Sequence, residues 1–327
     1  MGRRVPQDAP SLCLAVELRL YESRESTPFG SLLTMQTRFP NKILPYLLLS
    51  PSVIIVLVFF VVPSLQSLQL SFYRVSPLGT KRIFIGLENF LRLFDDPSYL
   101  NSAITSLQFA IFVVLVGLSL SLAVAVVANQ RFRGFGIYRT LLIWPYALSP
   151  AIAGLIWAQM MDPNIGMASH ILQSLFGVQF NYHTSSQHAL LFVSVAAAWK
   201  MLGYNIIFFL SGLQSLPSEL LEAASIDGAG SWRRFWRIAF PLLSPTTFFL
   251  FIMNTLYAFF EVFGLVHITT EGGPGRATDI LVYKLYRDGF IGLNTGYASA
   301  QSIVLLVMVS ILTILQFRYA GSRVFYQ

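Results

Sequence analysis

SLPSELLEAASIDGAGSWRRFWRIAFPLLSP, residues 215–245, is a polar interruption between two long apolar runs. It holds the acids Glu219, Glu222 and Asp227, the bases Arg233, Arg234 and Arg237, two tryptophans and three prolines. Pro217 suits the first turn of a helix, where its missing N–H has no intrahelical partner to lose. Glu219 and Glu222 then lie near the positive end of that helix's dipole. Leu220, Ala223, Ala224 and Asp227 fall at i, i+3, i+4 and i+7 and share one face. Its two alanines leave a low profile that another surface can approach closely. Gly228 and Gly230 break the helix, and Ser231 is placed to cap a second one. In that second helix Trp232, Phe235, Trp236 and Phe240 gather on one side and the arginines on the other, the pattern of a helix lying at a membrane interface. Pro241 and Pro245 lead into the next apolar run. The plainer reading is an amphipathic loop with no partner.

The flanking runs decide the class. The 327 residues are 55% hydrophobic and only 11% charged, too few charges to cover a soluble surface, where about a quarter is usual. An integral membrane protein follows. A spanning helix needs about 20 apolar residues, and six runs qualify: 43–65, 104–128, 138–160, 189–213, 246–267 and 297–317. They are continuously apolar rather than alternating, so helices fit and a barrel does not. Pro51, Pro145, Pro150 and Gly154 fall within them, as bundled membrane helices tolerate.

Lys and Arg placement gives the orientation. With the N-terminus in the cytoplasm, Arg3, Arg4, Arg19, Arg24, Arg38, Lys42, Arg131, Arg133, Arg139, Arg233, Arg234, Arg237, Arg318 and Arg323 lie inside. Arg74, Lys81, Arg82, Arg92, Arg276, Lys284 and Arg287 lie outside, and Lys200 sits within a span. Both termini, and the stretch 215–245, are therefore expected in the cytoplasm. The bias also accounts for the net charge of +7 without any nucleic acid. The expected organisation is a cytoplasmic tail over 1–42, partly disordered, a six-helix transmembrane domain over 43–320 and a short cytoplasmic tail over 321–327. The tail's apolar run is too short and too charged to span and lacks the order of a signal peptide. Met35 opens a compact basic flank, so either Met1 or Met35 can be the start. Cys13 is the single cysteine, which excludes an intrachain disulfide or a cysteine metal site. His170, His183, His188 and His267 lack zinc spacing, so no metal is expected.

The spacing in 215–245 matches a known signature. Glu222-Ala223-Ala224, three residues, Gly228, nine residues, then Ile238-Ala239-Phe240-Pro241 resembles the EAA loop of ATP-binding-cassette importer permeases, with Phe240 for the usual Leu. The resemblance extends over 45–327. PYLLLSPSVIIVLVFFVVPSLQSLQLSFY (45–73), FIGLENFLRLFDDPSYLNSAITSLQF (84–109) and TTEGGPGRATDILVYKLYRDGF (269–290) are similar to carbohydrate-uptake permeases. WPYALSPAIAGLIW (144–157), YAFFEVF (257–263) and the ending 301–327 resemble those serving sn-glycerol 3-phosphate. The resemblance implies an all-α, six-span type I (MetI-like) permease in a bacterial inner membrane. It implies a second homologous permease, two copies of a cytoplasmic ATPase, an external substrate-binding protein and surrounding lipid as partners. It also implies that Glu222, Ala223, Ala224, Asp227, Gly228, Ile238 and Pro241 couple to the ATPase. No G-x-x-x-x-G-K-[ST] run is present to cradle phosphates. ATP use is thus assigned to the partner, with no cofactor bound directly and no catalytic residue here.

Intramembrane polar residues supply the candidate substrate pathway. Lys200 within a span costs roughly 2.5–3.5 kcal/mol unless it meets a cavity or partner, and a phosphate-bearing substrate would receive it. A structural pairing is as good a reading. Trp199, Tyr204 and Asn205 are its neighbours, and an aromatic face with amide donors suits a polyol. Glu261 is expected to gate or to pair with a cation, with Asn254 on the same face seven residues earlier. Gln159 and Asp162 read as solvated ends of the third span. The segment 277–290, with Lys284, Arg287 and Asp288 among Leu281, Tyr283 and Tyr286, reads as an outer-interface anchor, with a contact to the binding protein as the other reading. A maltose-type or other sugar permease is the main alternative. A secondary transporter would show inverted repeats and more buried acids.

Overall fold

The computed structural model describes residues 43–77, 79–129 and 135–319. The expected tails, Met35, Arg131 and Arg133 lie outside the described residues. The chain forms two compact units that divide after Pro63, and each is described by itself.

The first span is helix α1, Leu44–Leu70. A proline opens its first turn and Pro51 lies inside it. A wide π-helical turn, Leu57–Val61, precedes Pro63. None of its residues is buried, and a helix apolar on every side is matched to lipid or to another apolar surface.

In the second unit the end of α1 is followed by a hairpin that composition did not announce. β1, Tyr73–Val75, pairs antiparallel with β2, Arg82–Phe84, and the amphipathic helix α2, Glu88–Asp95, follows. Helix α3, Pro97–Ala128, opens with a proline and with the Asp96 carboxylate accepting the Ser98 N–H, a standard N-cap. Helix α7, Ser186–Gln214, lies against α3 at the centre. Phe109 and Val113 of α3 and Phe192, Ala196 and Ala197 of α7 are buried there. Small residues allow such close approach, which in a membrane replaces the hydrophobic drive. Gly203 of α7 allows the same toward the chain at Leu142: a Cβ at that position would sit 2.6 Å from the Leu142 carbonyl oxygen.

The third span is not one helix over 138–160. It is helix α4, Phe135–Ala147, and helix α5, Pro150–Met161, meeting at 107°. Ser149 precedes a proline, which disfavours the helical region. It takes ψ 153 and its hydroxyl accepts the Ile152 N–H, so the break doubles as a new helix start. Helix α6, Met167–Phe176, leads to α7. Helices α8, Ser218–Ile226, and α9, Ser231–Leu242, make up the polar stretch. The fifth span is α10, Ser244–Glu261, bent 66° from α9 and continued by α11, Phe263–Thr269. Helix α12, Leu281–Tyr286, and helix α13, Thr295–Tyr319, are the last of the described residues' helices. Four described helices are long and apolar enough to span, six when each bent pair counts as one span.

Candidate functional site

The polar stretch folds into a helix, a glycine turn and a second helix. Pro217 sits at the cap position of α8, one residue before the helix. The helix ends in a Schellman arrangement. The Ala229 N–H donates to the Ala224 carbonyl at 2.9 Å, and the Gly228 N–H to the Ser225 carbonyl at 3.1 Å. That closure requires a left-handed residue four positions after Ala224, and Gly228 supplies it with φ +77. The Glu-Ala-Ala to Gly spacing is thereby a statement about where the helix stops. Asp227 is the C-cap, so the face shared by Leu220, Ala223 and Ala224 ends one residue short of it. Nothing on α8 is buried. Glu222, Ala223, Asp227 and Gly228 are exposed, and Ile226 is 87% exposed at its tip.

Ser231 does not cap α9. Gly230 takes the cap position without a side-chain bond, and Ser231 is the first helical residue, its hydroxyl instead accepting from Arg234 at 3.4 Å. The aromatic side forms as expected: Trp236 lies 5.6 Å from Trp232, 5.2 Å from Phe235 and 5.0 Å from Phe240 between ring centres. A π-helical turn at Phe235–Ala239 includes Ile238 and stops before Pro241, both half-buried.

The candidate pathway residues divide into two groups. Lys200 is buried, with its ammonium 5.3 Å from the ring centre of Tyr146 and 5.8 Å from that of Tyr257, within cation–π reach. Tyr204 lies 4.9 Å from Tyr146, and Trp199 packs edge-on against Trp144 and Trp157. Asn205 and Asn254 are fully buried and bonded to each other, and the Asn254 amide also donates to the Leu250 carbonyl at 2.8 Å. They are an interhelical clamp in this structure, with Gly117 of α3 alongside. Glu261 differs from them in exposure. The π-helical turn Tyr257–Glu261 widens the helix between them, leaving Asn254 buried and Glu261 exposed. Among the described residues no ion pair forms at Glu261. Tyr257 and Tyr146 were missed by sequence reasoning. The Tyr257 hydroxyl is buried without a hydrogen-bond partner among the described residues, on the ring that faces the Lys200 ammonium at 5.8 Å.

The segment 277–290 is not an interface anchor. Thr278, Asp279, Ile280, Leu281, Tyr283 and Lys284 are all buried, because α3 meets the segment with hydroxyls. The Leu281 N–H donates to Ser106 at 2.7 Å and the Ser102 hydroxyl to Asp279 at 3.4 Å. Lys284 pairs with Asp288 at 2.9 Å and Asp96 at 3.5 Å, and Arg287 pairs with Asp279. Gln301 donates to Asp288 and Tyr297 to Asp96. Burial pushes the Asp279 carboxyl up against the pull of Arg287. Burial also pushes Asp96 up, but Tyr297, the Ser98 N–H and Lys284 outweigh it and hold the carboxyl below its ordinary range. Asp162 is more than a solvated helix end: it accepts the Asn164 and Ile165 N–H groups, which hold its carboxyl low.

The family described as binding-protein-dependent transport system inner membrane component matches residues 117–324. The chain belongs to this family. The sn-glycerol-3-phosphate transport system permease protein UgpA of Agrobacterium fabrum strain C58 is 49% identical over 288 residues, covering 88% of this chain and 98% of its own. Its counterpart in Escherichia coli O157:H7 is 44% identical over 289 residues with the same coverages. The fold is similar to that in a crystal structure of a bacterial ABC transporter involved in import of the acidic polysaccharide alginate. The TM-score there is 0.74 at 21% identity, over 85% of this chain and 95% of that one. A second structure of an alginate ABC transporter, in complex with an alginate-pentasaccharide-bound periplasmic protein, matches with a TM-score of 0.73 at 22% identity, over 84% of this chain and 93% of that one. In this inner membrane component, a transport subunit rather than an enzyme, the bent third span, the Schellman-closed α8 and the clamped 277–290 segment are parts of a permease.

Proposed function

We propose that this chain forms half of the translocation pathway of an ATP-driven importer for sn-glycerol 3-phosphate. One observation carries the transport mechanism: α8 is an exposed helix held by a glycine turn, with nothing on its surface buried by the chain itself. A cytoplasmic ATPase would seat there, with Ile226 and the Ala223 face in its cleft, and pass its closure through α9 into α10 and the fifth span. A second permease would complete the pathway, two ATPase copies would drive it, and an external binding protein would deliver the solute. The chain lies in the bacterial inner membrane, with both termini and the α8–α9 stretch on the cytoplasmic side, as the arginine bias supports.

Relatives named for sn-glycerol 3-phosphate, matched along 98% of their length, support the substrate. Lys200 and the unpaired Tyr257 hydroxyl supply a cation and a donor that a phosphate would accept. The aromatic surround of Trp199, Tyr204 and Tyr146 favours a second reading, a sugar or polyol without phosphate. Uptake of labelled sn-glycerol 3-phosphate by the reconstituted complex, with maltose as competitor, separates the two. Uptake that maltose blocks and glycerol phosphate leaves untouched would overturn the substrate assignment.

A further inference from the structure

Two cavities meet where α5 ends and α7 begins, in a region that α8 does not use and that touches the surroundings of Lys200 through Trp157. One holds about 370 Å³ and is lined by apolar side chains, among them Trp157 and Met161 of α5, Leu172 of α6, and Leu191 and Val195 of α7. The other holds about 360 Å³ and is lined by polar ones, including Gln173 of α6, Gln179, Asn181, Thr184 and His188. Phe180 lines both.

Position along α7 orders the two. His188 lies in its first turn, and Val195 is seven residues on, about 10 Å further into the span. The apolar cavity therefore lies deeper in the span and the polar one toward the membrane surface. Helix α6, which contributes to both, has no Asp, Glu, Lys or Arg. It exposes Met167, Ile171 and Leu175 at i, i+4 and i+8, as a helix lying in the interfacial plane does.

The polar cavity is built for an acceptor of low charge. His188 accepts the Asn181 N–H on Nδ1 at 3.3 Å, which leaves the ring proton on Nε2 as a donor. Gln173 and Gln179 add amide donors, and no Lys or Arg lines the cavity. Ester and phosphodiester oxygens suit such neutral donors, and a densely anionic headgroup would want cations instead.

We propose that the two cavities form one binding site for a zwitterionic membrane glycerophospholipid. An acyl chain lies between Trp157, Leu191 and Val195, and the ester and phosphate oxygens accept from Gln173, Gln179 and His188. Apolar and polar cavities stacked in that order match the lipid's own order of chain and headgroup.

The test uses the complete transporter in nanodiscs containing phosphatidylethanolamine with a diazirine on one acyl chain. Photoadducts mapped by mass spectrometry should concentrate on Trp157, Met161 and 191–195. Val195→Trp fills the slot from a wall that is 36% exposed and should lower that yield about fivefold or more, a change of roughly 1 kcal/mol, while adducts elsewhere persist. Leu191→Trp serves if the first variant assembles poorly. Diacylglycerol carrying the same labelled chain should label the site several-fold less. Adducts spread evenly along the apolar helices, indifference to both substitutions, equal labelling by diacylglycerol, or stronger labelling by phosphatidylglycerol would each overturn the proposal.

Discussion

The side-chain amides of Asn205 and Asn254 are hydrogen-bonded to each other twice, Nδ2 of Asn205 to Oδ1 of Asn254 at 3.1 Å and Nδ2 of Asn254 to Oδ1 of Asn205 at 2.7 Å. The pair joins α7 to α10 in a fully buried setting. Removing one partner leaves the other amide unsatisfied, which costs more than the bonds themselves contribute. Asn254→Ala should destabilise the detergent-solubilised chain by about 1–2 kcal/mol, near the upper range for polar contacts between membrane helices. Asn205→Leu with Asn254→Leu should cost less than the two single changes added together, since neither leaves an orphan. Thermal unfolding of the wild type and these four variants checks this, and simple additivity would remove the clamp.

A cost of a different kind attaches to Gly228. A Cβ there meets nothing within 4 Å, so space is no obstacle and φ +77 is. Gly228→Ala should cost about 1–2 kcal/mol in the turn, and Gly228→Asn less, because Asn tolerates the left-handed region. Membrane insertion should be unchanged while substrate-stimulated ATP turnover falls, in the order Gly, Asn, Ala. Ile226→Asp disturbs no buried contact and should leave stability unaltered yet weaken ATPase co-purification. Normal turnover in all three variants would rule out α8 as the coupling element.

Gly228 also shows how much of the chain could be read in advance. Its spacing from Glu222 is local, and local hydrogen-bond closure dictates it. The spans were equally legible, because length and apolar content alone decide them. The break between α4 and α5 was not, since Pro150 is compatible both with a tolerated kink and with a new helix start. Pairings across the fold were hidden for another reason. Asn205 and Asn254 are far apart in sequence, and the π-helical turn at Tyr257–Glu261 has no sequence marker. The segment 277–290 misled for a third reason. Its charges suggested an exposed face, but Ser102 and Ser106 of α3 and Asp96 supply the partners that let them be buried.

Lys200 is where stability and transport can be separated. Two rings hold the ammonium, and a cation–π contact of this kind contributes about 0.5–2 kcal/mol. Lys200→Met keeps the length and apolar packing of the stem and should leave the thermal midpoint within a few degrees. Uptake of sn-glycerol 3-phosphate should fall by a factor of about ten or more, the loss of one charge-assisted hydrogen bond to phosphate. Tyr257→Phe should lower uptake by a smaller factor. Full uptake by the Lys200→Met complex would return Lys200 to a purely structural role.

The buried ion network makes acid sensitivity a local property. Asp96 is held below its ordinary value of 3.8 in the folded chain. A carboxyl with a depressed folded pKa contributes stability that is complete above the unfolded value and is lost as pH falls through the folded one. Asp279 runs the other way. Burial raises it, so its contribution is complete below its ordinary value and fades as pH rises through the raised one. Acidification below about pH 4 should therefore loosen the Lys284 end of the segment, where Asp96 reaches it, before the end held by Asp279. Hydrogen exchange should show 284–294 losing protection in that window while 277–281 keeps it. Asp96→Asn should lower the protection of 284–294 at neutral pH and weaken its acid dependence, with Asp288 left as the second carboxylate on Lys284. Uniform loss across 277–294, or an unchanged profile in Asp96→Asn, would mean that Asp96 does not hold the segment through Lys284.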